Sequence, residues 1–402
     1  WCLKRNSPYI YVNELIMEPR IQGLNTHLVH TGELEDPLYH GAVSPLYLST
    51  SYAFDEVDIK RYPRNFNTPN QEALGHKIAA LENKEAALIF GSGMAAVSTA
   101  IMGLVSSGDH IVFQDDLYGG TRNLALADLR RFGIEFSMAK GLEIKDFESE
   151  IRPNTKLIYV ETPSNPLLKI IDLDMIGRLA KKHGIISMID NTFASPVNQV
   201  PDEFGIDVVI HSATKYMGGH SDISAGAIAT SNELIAPIWS MAKSLGGNLS
   251  EMTVWLLERS IKTMGLRVHR QNENALAMAH FLSAHHAING VYYPGLVEHP
   301  GHEIAKKQMK GFGGMMSFEL RSGLDARFFQ QQLKLIKPSM SLAGVESTVL
   351  SPTMTSHHSL TLEERKNQGI SEGLIRFSVG IEEVSDLQRD IEQAIAKTEN
   401  HG

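Results

Sequence analysis

Apolar and polar positions change rhythm several times along the chain, and each rhythm predicts an element. From about residue 71, QEALGHKIAALEN carries apolar residues at helical spacing, and the AALIF that follows predicts a buried strand. GSGMAAVSTAIMGLV predicts a glycine-led helix. HIVFQ, KLIYVET, IISMIDN, DVVIHSAT and AGAIAT are further β-rich runs, with helical stretches such as DLDMIGRLAKKHG between some of them. Strand–helix alternation over this length predicts an α/β fold, a mostly parallel sheet covered by helices.

The rhythm changes again at LSEMTVWLLERSIKTMGLRVHRQNENALAMAHFLSAHH, which reads as one long helical stretch with a break at Gly265. Beyond it, GGMMSFEL and LIRFSVG read as strands of a smaller C-terminal α+β domain. SDLQRDIEQAIAK reads as its closing helix, with Ser385 and Gln388 at the spacing of a capping box. The expected division is an extension without order over 1–16, an N-terminal arm over 17–70, a large domain over 71–262 and a C-terminal domain over 263–402. Residues 1–16 lack a secretory pattern, because Asn13 and Glu14 interrupt their apolar residues, and Met17 is read as the natural start. No repeat or low-complexity linker stands out.

Composition narrows the classes. The 402 residues are 43% hydrophobic, enough for a large core, and the net charge is −9 with no long basic run. Nucleic acid and anionic membrane are therefore poor partners. No apolar run reaches the ~18 residues of a membrane span. The single cysteine, Cys2, excludes an intrachain disulfide and fits a reducing compartment, so a cytoplasmic location is expected. His357 and His358 lie in a polar stretch without a metal-ligand spacing, so no metal is expected, and the 16 methionines read as core filler.

The candidate chemistry begins with GSGMAA. Gly91, Gly93 and Ala96 match G-x-G-x-x-A between a strand and a helix, and Asp115 follows about 20 residues on, as in a dinucleotide fingerprint. A nicotinamide-dependent oxidoreductase is one reading. Backbone N–H groups holding some other cofactor's phosphate is a second, and a bare tight turn a third. HSATKYMGGH then ends an apolar run in Lys215, set between hydroxyl residues and glycines. A lysine amine forms a Schiff base with an aldehyde, of which pyridoxal 5'-phosphate (PLP) is the commonest cofactor form. Asp190, ending the run in MIDN, would face a protonated pyridine nitrogen. Ser212 and Thr214 offer hydroxyls to a phosphate, and Tyr118 in LYGGT offers a face to stack on the ring. Taken singly, Lys215 also reads as a snorkelling strand-end residue and Asp190 as a turn cap.

GSGMAA, LYGGT, YVETPSNP, IDNTFASP, HSATKYMGGHSD, RQNENA, YYPGL, SLAGVES and IRFSVGIE stand in one order across residues 24 to 397. In that set the chain resembles the PLP-dependent enzymes of cysteine and methionine metabolism: cystathionine γ-synthase, cystathionine β- and γ-lyase and methionine γ-lyase. The resemblance implies the type I PLP-dependent transferase fold. It also implies a homotetramer, a dimer of dimers in which subunits complete each other's sites. Lys215 then matches the Schiff-base lysine and Asp190 the partner of the ring nitrogen. Gly93, Met94, Ser212 and Thr214 match phosphate-binding positions, and Tyr118 matches the ring-stacking tyrosine. Asn165 matches the residue near the ring hydroxyl and the substrate carboxylate, with Glu161 supporting its loop. Arg376 matches the carboxylate-gripping arginine, with Ser341 beside it. Tyr62 and Arg64 in RYPRNFNTPN keep the spacing of residues that reach a neighbour's phosphate, although Pro63 and the Thr68-Pro69 order depart from the usual Y-S-R-x-x-N-P-T.

Three positions bear on the reaction by the same resemblance. Gly120 stands where methionine γ-lyases have a cysteine. Met340 stands where γ-synthases and γ-lyases of cystathionine have Glu, and Leu342 where well-known bacterial β-lyases have Trp. A thioether cannot hold a distal ammonium as a carboxylate does, so Met340 is taken to line the distal pocket. The expected activity is that of a carbon–sulfur lyase of cystathionine β-lyase type, acting on cystathionine or cysteine-like substrates. Cystathionine γ-synthase or γ-lyase is the alternative, and an inactive PLP-fold binding protein is the non-enzyme alternative.

Overall fold

The computed structural model describes residues 23–401 apart from 56, 356–362, 364 and 366–368. The expectations for residues 1–16, Met17, His357 and His358 lie outside the described residues. Seven strands form the larger sheet: β1 (Ala86–Phe90), β2 (His110–Gln114), β3 (Glu135–Ala139), β4 (Thr155–Glu161), β5 (Ile186–Asp190), β6 (Val208–His211) and β7 (Gly226–Thr230). Their order is β1-β7-β6-β5-β4-β2-β3. The pairs from β6 across to β3 are parallel, whereas β7 runs antiparallel to both β6 and β1.

The central strands are mostly apolar along their middles because helices cover both faces. On one face Ala96, Val97, Ala100 and Ile238, from helices Gly93–Leu104 and Asn232–Leu245, pack on Phe113, Tyr159 and Ile210. On the other, Ile176 and Leu179 of helix Leu173–His183 pack on Ile158, Ile189 and Val209. Each such buried aliphatic side chain contributes about 1.5–3 kcal/mol. Strand β3, EFSMA, escapes the apolar pattern because it is an edge strand on which only Ala139 is buried.

A second sheet holds β8 (Ile288–Tyr292), β9 (Met315–Leu320), β10 (Lys337–Pro338), β11 (Thr348–Leu350) and β12 (Leu374–Ser378), in the order β10-β11-β12-β9-β8. Met278 and Leu282 of helix Met264–Ser283 and Leu387 and Ile391 of helix Val384–Glu399 close its core over Phe318 and Phe377. The fold is α/β, with a mostly parallel sheet in the large part and a smaller C-terminal part.

Three local expectations need correction. The long helical stretch breaks at Lys262 and Thr263, between helices Glu251–Ile261 and Met264–Ser283, and not at Gly265. Gly265 lies inside the second helix, where a Cβ would come within 2.1 Å of Asn25 Oδ1, so the glycine serves close packing against the N-terminal segment. The closing helix starts at Val384 with Glu383 as its N-cap and no side-chain capping bond, so Ser385 sits in the first turn and makes no capping box. The capping box formed by Thr68 and Gln71 starts helix Pro69–Leu81 instead. Finally, DVVIHSAT is a strand only as far as His211; Ser212 leaves the strand, and Ala213 and Thr214 already turn.

Candidate functional site

Parallel strands gather side chains at their carboxyl ends, and ligands of open α/β sheets bind there. Here Glu161 ends β4, Asp190 ends β5 and His211 ends β6, directly before Lys215. These ends open into a cavity of about 410 Å³ lined by Gly93, Met94, Tyr118, Asn165, Asp190, Ser212, Thr214, Lys215, Met340 and Arg376, among others. Ten sequence-predicted residues therefore converge on one space from the two sheets and their loops. Ser341 joins them at its edge, its Oγ 3.5 Å from Lys215 Nζ.

Charge is arranged sharply. Burial lowers the Lys215 ammonium pKa, and the Arg376 charge lowers it further. Burial raises the Asp190 carboxyl, and Thr192, whose N donates to Asp190 Oδ1 at 3.0 Å, pulls it part of the way back. A cation placed opposite Asp190 would relieve that burial cost. Glu161 is also raised, by burial and then by Asp190. Its two oxygens accept from Tyr118 N at 2.7 Å and Asn165 N at 3.2 Å, so one carboxyl sets both the tyrosine and the asparagine loop. Arg376 is buried on β12, and burial lowers its pKa to about 10. Its Nη1 donates to Asn165 Oδ1 at 3.2 Å and its Nη2 to Met340 O at 3.3 Å, so both arms of the fork are held at the cavity wall.

The donor set fits PLP. Ser92 caps helix Gly93–Leu104, its Oγ accepting from Ala95 N at 3.1 Å, and the helix start points its free N–H groups into the cavity wall. Only glycine fits at 93, where a Cβ would lie 2.8 Å from Ser212 Cβ. Thr214 needs qualification: its hydroxyl donates to Ala225 O at 3.1 Å and accepts from Ala225 N at 3.0 Å. It would have to exchange that donor to serve a phosphate. Tyr118 stands half-exposed on the cavity wall, where its ring can cover a flat cofactor.

Tyr62 and Arg64 are not among the residues lining the cavity. Arg64 Nη1 donates to Lys243 O at 2.7 Å, its guanidinium lies 5.8 Å from the Tyr62 ring centroid, and Tyr62 is half-exposed. Met340 does line the cavity, but at its mouth, with 75% of its surface exposed. Leu342 is buried in the wall. Sequence reasoning missed Ser92, Thr192, Phe193, Leu350 and Thr355, which also line the cavity. Ser92 was readable as the cap of a glycine-led helix; the others carry no local signal.

The dinucleotide reading fails on topology. That fingerprint needs a parallel βαβ unit, but β1, which precedes GSGMAA, is an edge strand paired only with antiparallel β7. Asp115 is bound to Arg122 at 2.8 Å and is not among the cavity residues. Among the described residues no group of three or more His, Cys, Asp or Glu is placed to hold a metal, and no helix is long and apolar enough to cross a membrane.

Comparison with known proteins agrees with the geometry. The family model of the Cys/Met metabolism PLP-dependent enzymes matches residues 25–396. The chain is 45% identical over 375 residues to a cystathionine gamma-lyase of Bacillus subtilis, covering 92% of this chain and 98% of that protein. It is 42% identical over 379 residues to a cystathionine beta-lyase of Lactococcus lactis subsp. cremoris, covering 93% and 99%. The crystal structure of a cystathionine gamma-lyase from Lactobacillus plantarum, complexed with L-serine, superposes with a TM-score of 0.90 at 38% identity, covering 94% of this chain and 100% of that one.

Proposed function

The chain belongs to the Cys/Met metabolism PLP-dependent enzymes, and within that family we propose that it is a carbon–sulfur lyase of cystathionine β-lyase type, acting on cystathionine or cysteine-like thioethers. The observation that carries the β-reaction is the composition of the cavity. Its lining carboxylates are Asp190 and Glu161, and both are engaged near the strand ends. Phe193, Met340, Leu342 and Leu350 make much of the remaining wall, so among the described residues no further carboxylate lines the cavity to receive a distal ammonium. β-Elimination asks least of such a site.

When bound, PLP supplies an electron sink for the carbon that loses its proton. The chain's own residues do the rest. Asp190 would hold the ring nitrogen's proton. Arg376 and Asn165 bind the substrate carboxylate, with Ser341 beside them. Lys215, its ammonium destabilised by burial, takes the α-proton at Nζ as general base. Tyr118 would cover the ring and lie toward the leaving sulfur. The C–S bond breaks with its electron pair going to sulfur, the sulfur takes up a proton and leaves as a thiol, and hydrolysis releases pyruvate and ammonia. Gly93, Met94 and Ser212 would hold the phosphate, joined by Thr214 once its hydroxyl leaves Ala225 O.

We assign residues 17–70 to the arm, 71–262 to the cofactor-binding domain and 263–402 to the C-terminal domain. We further propose a homotetramer of paired copies, in which Tyr62 and Arg64 of one copy complete the phosphate site of another. Two features support that reading: both residues lie away from their own cavity, and Leu38, Tyr39, Leu48, Phe54 and Tyr62 expose apolar surface along the same stretch.

A γ-lyase is the second reading, favoured by the 45% identity to the Bacillus subtilis enzyme. A product assay of the purified protein on cystathionine separates the two. Pyruvate with homocysteine supports the β-reaction; 2-oxobutyrate with cysteine replaces it by the γ-reaction.

A further inference from the structure

Lys215 stands on a turn whose shape depends on a side chain outside the cavity. Within the turn, Lys215 N donates to Ser212 O at 3.0 Å, Gly218 N to Ala213 O at 2.8 Å and Gly219 N to Lys215 O at 2.7 Å. The next two carbonyls along the chain are taken by Arg267. Its Nη1 donates to Tyr216 O at 2.9 Å and its Nη2 to Met217 O at 3.4 Å. Arg267 lies in the first turn of helix Met264–Ser283 and reaches back to the end of the preceding helix. There Nη2 donates to Ser260 O at 2.9 Å and Nε to Thr263 Oγ1 at 3.3 Å. The side chain is buried, and its hydrogen-bond acceptors are three backbone carbonyls and one hydroxyl. Burial lowers its pKa only to about 10, so it stays charged near neutrality, balanced by carbonyl dipoles and by a helix C-terminus.

The glycines of HSATKYMGGH belong to the same arrangement. Gly219 has φ +66, and a Cβ there would lie 1.7 Å from Arg267 Nη1. Glycine thus leaves room for the guanidinium. The Gly219 carbonyl in turn accepts from Val345 N at 3.0 Å, which joins the turn to the loop carrying Ser341. Arg267 therefore touches three things at once: the lysine turn, the end of helix Glu251–Ile261, and the glycine that links to the Ser341 loop.

We propose that Arg267 is a positioning residue for Lys215: by holding the Tyr216 and Met217 carbonyls it fixes the turn and so aims the amine at the substrate α-carbon. The proposal rests on the reading of Lys215 given above. A planar fork suits the task, because it meets several fixed carbonyls at once, whereas a lysine ammonium is a point charge on a flexible stem. A small misplacement of a reacting group is costly in rate.

The test uses the holoenzyme and apo-protein of Arg267→Lys, Arg267→Leu and Gly219→Ala. In Arg267→Leu, kcat is expected to fall about 10- to 100-fold with KM little changed, and Arg267→Lys should recover only part of it. The fraction of bound cofactor that borohydride fixes to Lys215 should fall in parallel. In the apo-protein, the pH at which an amine reagent half-labels Lys215 should rise, because a loosened turn lets water reach the ammonium and removes the burial that lowers its pKa. Gly219→Ala, which keeps the arginine but displaces it, should move these readouts in the same direction even if the leucine variant folds poorly. Folded variants with a lower melting temperature but wild-type kcat, borohydride yield and labelling midpoint would overturn the proposal and leave Arg267 a packing residue. A wild-type protein whose Lys215 takes no cofactor would defeat the functional reading instead, and the apo labelling midpoint would still judge the turn.

Discussion

Two segments that the sequence marks as phosphate-facing behave differently in the fold. HSATKYMGGH sits at the buried end of β6, with Ser212, Thr214 and Lys215 on a cavity that Asp190 and Arg376 share. RYPRNFNTPN is exposed at Tyr62 and Arg64 and buried from Phe66 to Thr68, with Arg64 donating to the Lys243 carbonyl and lying 5.8 Å from the Tyr62 ring centroid. The first segment finds its chemistry within its own chain. The second carries Tyr62 and Arg64, which are not among the residues lining the cavity of their own chain. A cationic side chain kept beside an aromatic ring and exposed apolar neighbours is what a surface destined for another copy would present.

The largest effect should come from the in-chain half. Lys215→Ala should lower kcat/KM by roughly 10³-fold or more, since it removes the proposed general base as well as the proposed covalent anchor. Retention of substantial turnover in a cleanly purified variant would move the chemistry elsewhere. Arg64→Ala probes the other half. Losing a charge-assisted phosphate contact should cost about 1.5–3 kcal/mol, seen as weaker PLP retention on dialysis, although Arg64 does not line its own cavity. Unchanged retention would deny the arm a role in any copy's site.

How far the sequence made this legible follows the same divide. The strand ends could be read, because apolar runs lead up to Asp190 and Lys215, but each residue alone also fitted a cap or a snorkelling role, and only the ordered set of segments pointed to the chemistry. The edge strand β3 could not, because a half-exposed strand lacks an apolar run. The break at Lys262 and Thr263 was misplaced because a glycine inside a helix looks like a break, until Asn25 is seen packed against it. The starts of helices followed capping bonds to Thr68 and the loop geometry at Glu383, which sequence spacing at Ser385 mimicked without making. Thr192, which steadies both Asp190 and Ser212 N, is visible only once β5 and β6 lie side by side. The contact of Arg267 with the turn that carries Lys215 was beyond reach, since it joins residues 51 positions apart through a backbone carbonyl whose direction no side-chain pattern encodes.

Smaller effects sharpen the picture. Met340→Glu should shift cystathionine products toward 2-oxobutyrate by no more than about 1–3 kcal/mol in relative kcat/KM, and at the low end, because Met340 sits exposed at the cavity mouth. Unchanged pyruvate to 2-oxobutyrate ratios would show that position 340 does not choose the reaction. The smallest effect concerns how the N-terminal segment is fastened. Buried Lys77 donates to Leu28 O at 3.0 Å and Val29 O at 3.3 Å, and burial lowers its pKa from 10.5 to about 8. Between those values the unfolded state binds more protons than the folded one, so this group makes stability rise as pH climbs from about 8 toward 10.5. Lys77→Met should lack that rise when urea midpoints are followed across the window, whatever its absolute stability. Parallel curves for variant and wild type would contradict the assignment.

The split between a buried half-site and an exposed half-site is tested most directly by complementation. Lys215→Ala and Arg64→Ala subunits, each poorly active alone at limiting PLP, are co-expressed, and the tagged hybrid is assayed on cystathionine. A shared site predicts recovery, because pairing the Arg64 arm of one subunit with Lys215 of the other rebuilds one intact site in each mixed pair. Hybrid activity no greater than the mean of the two parents would contradict it and would return Arg64 to a role confined to its own chain.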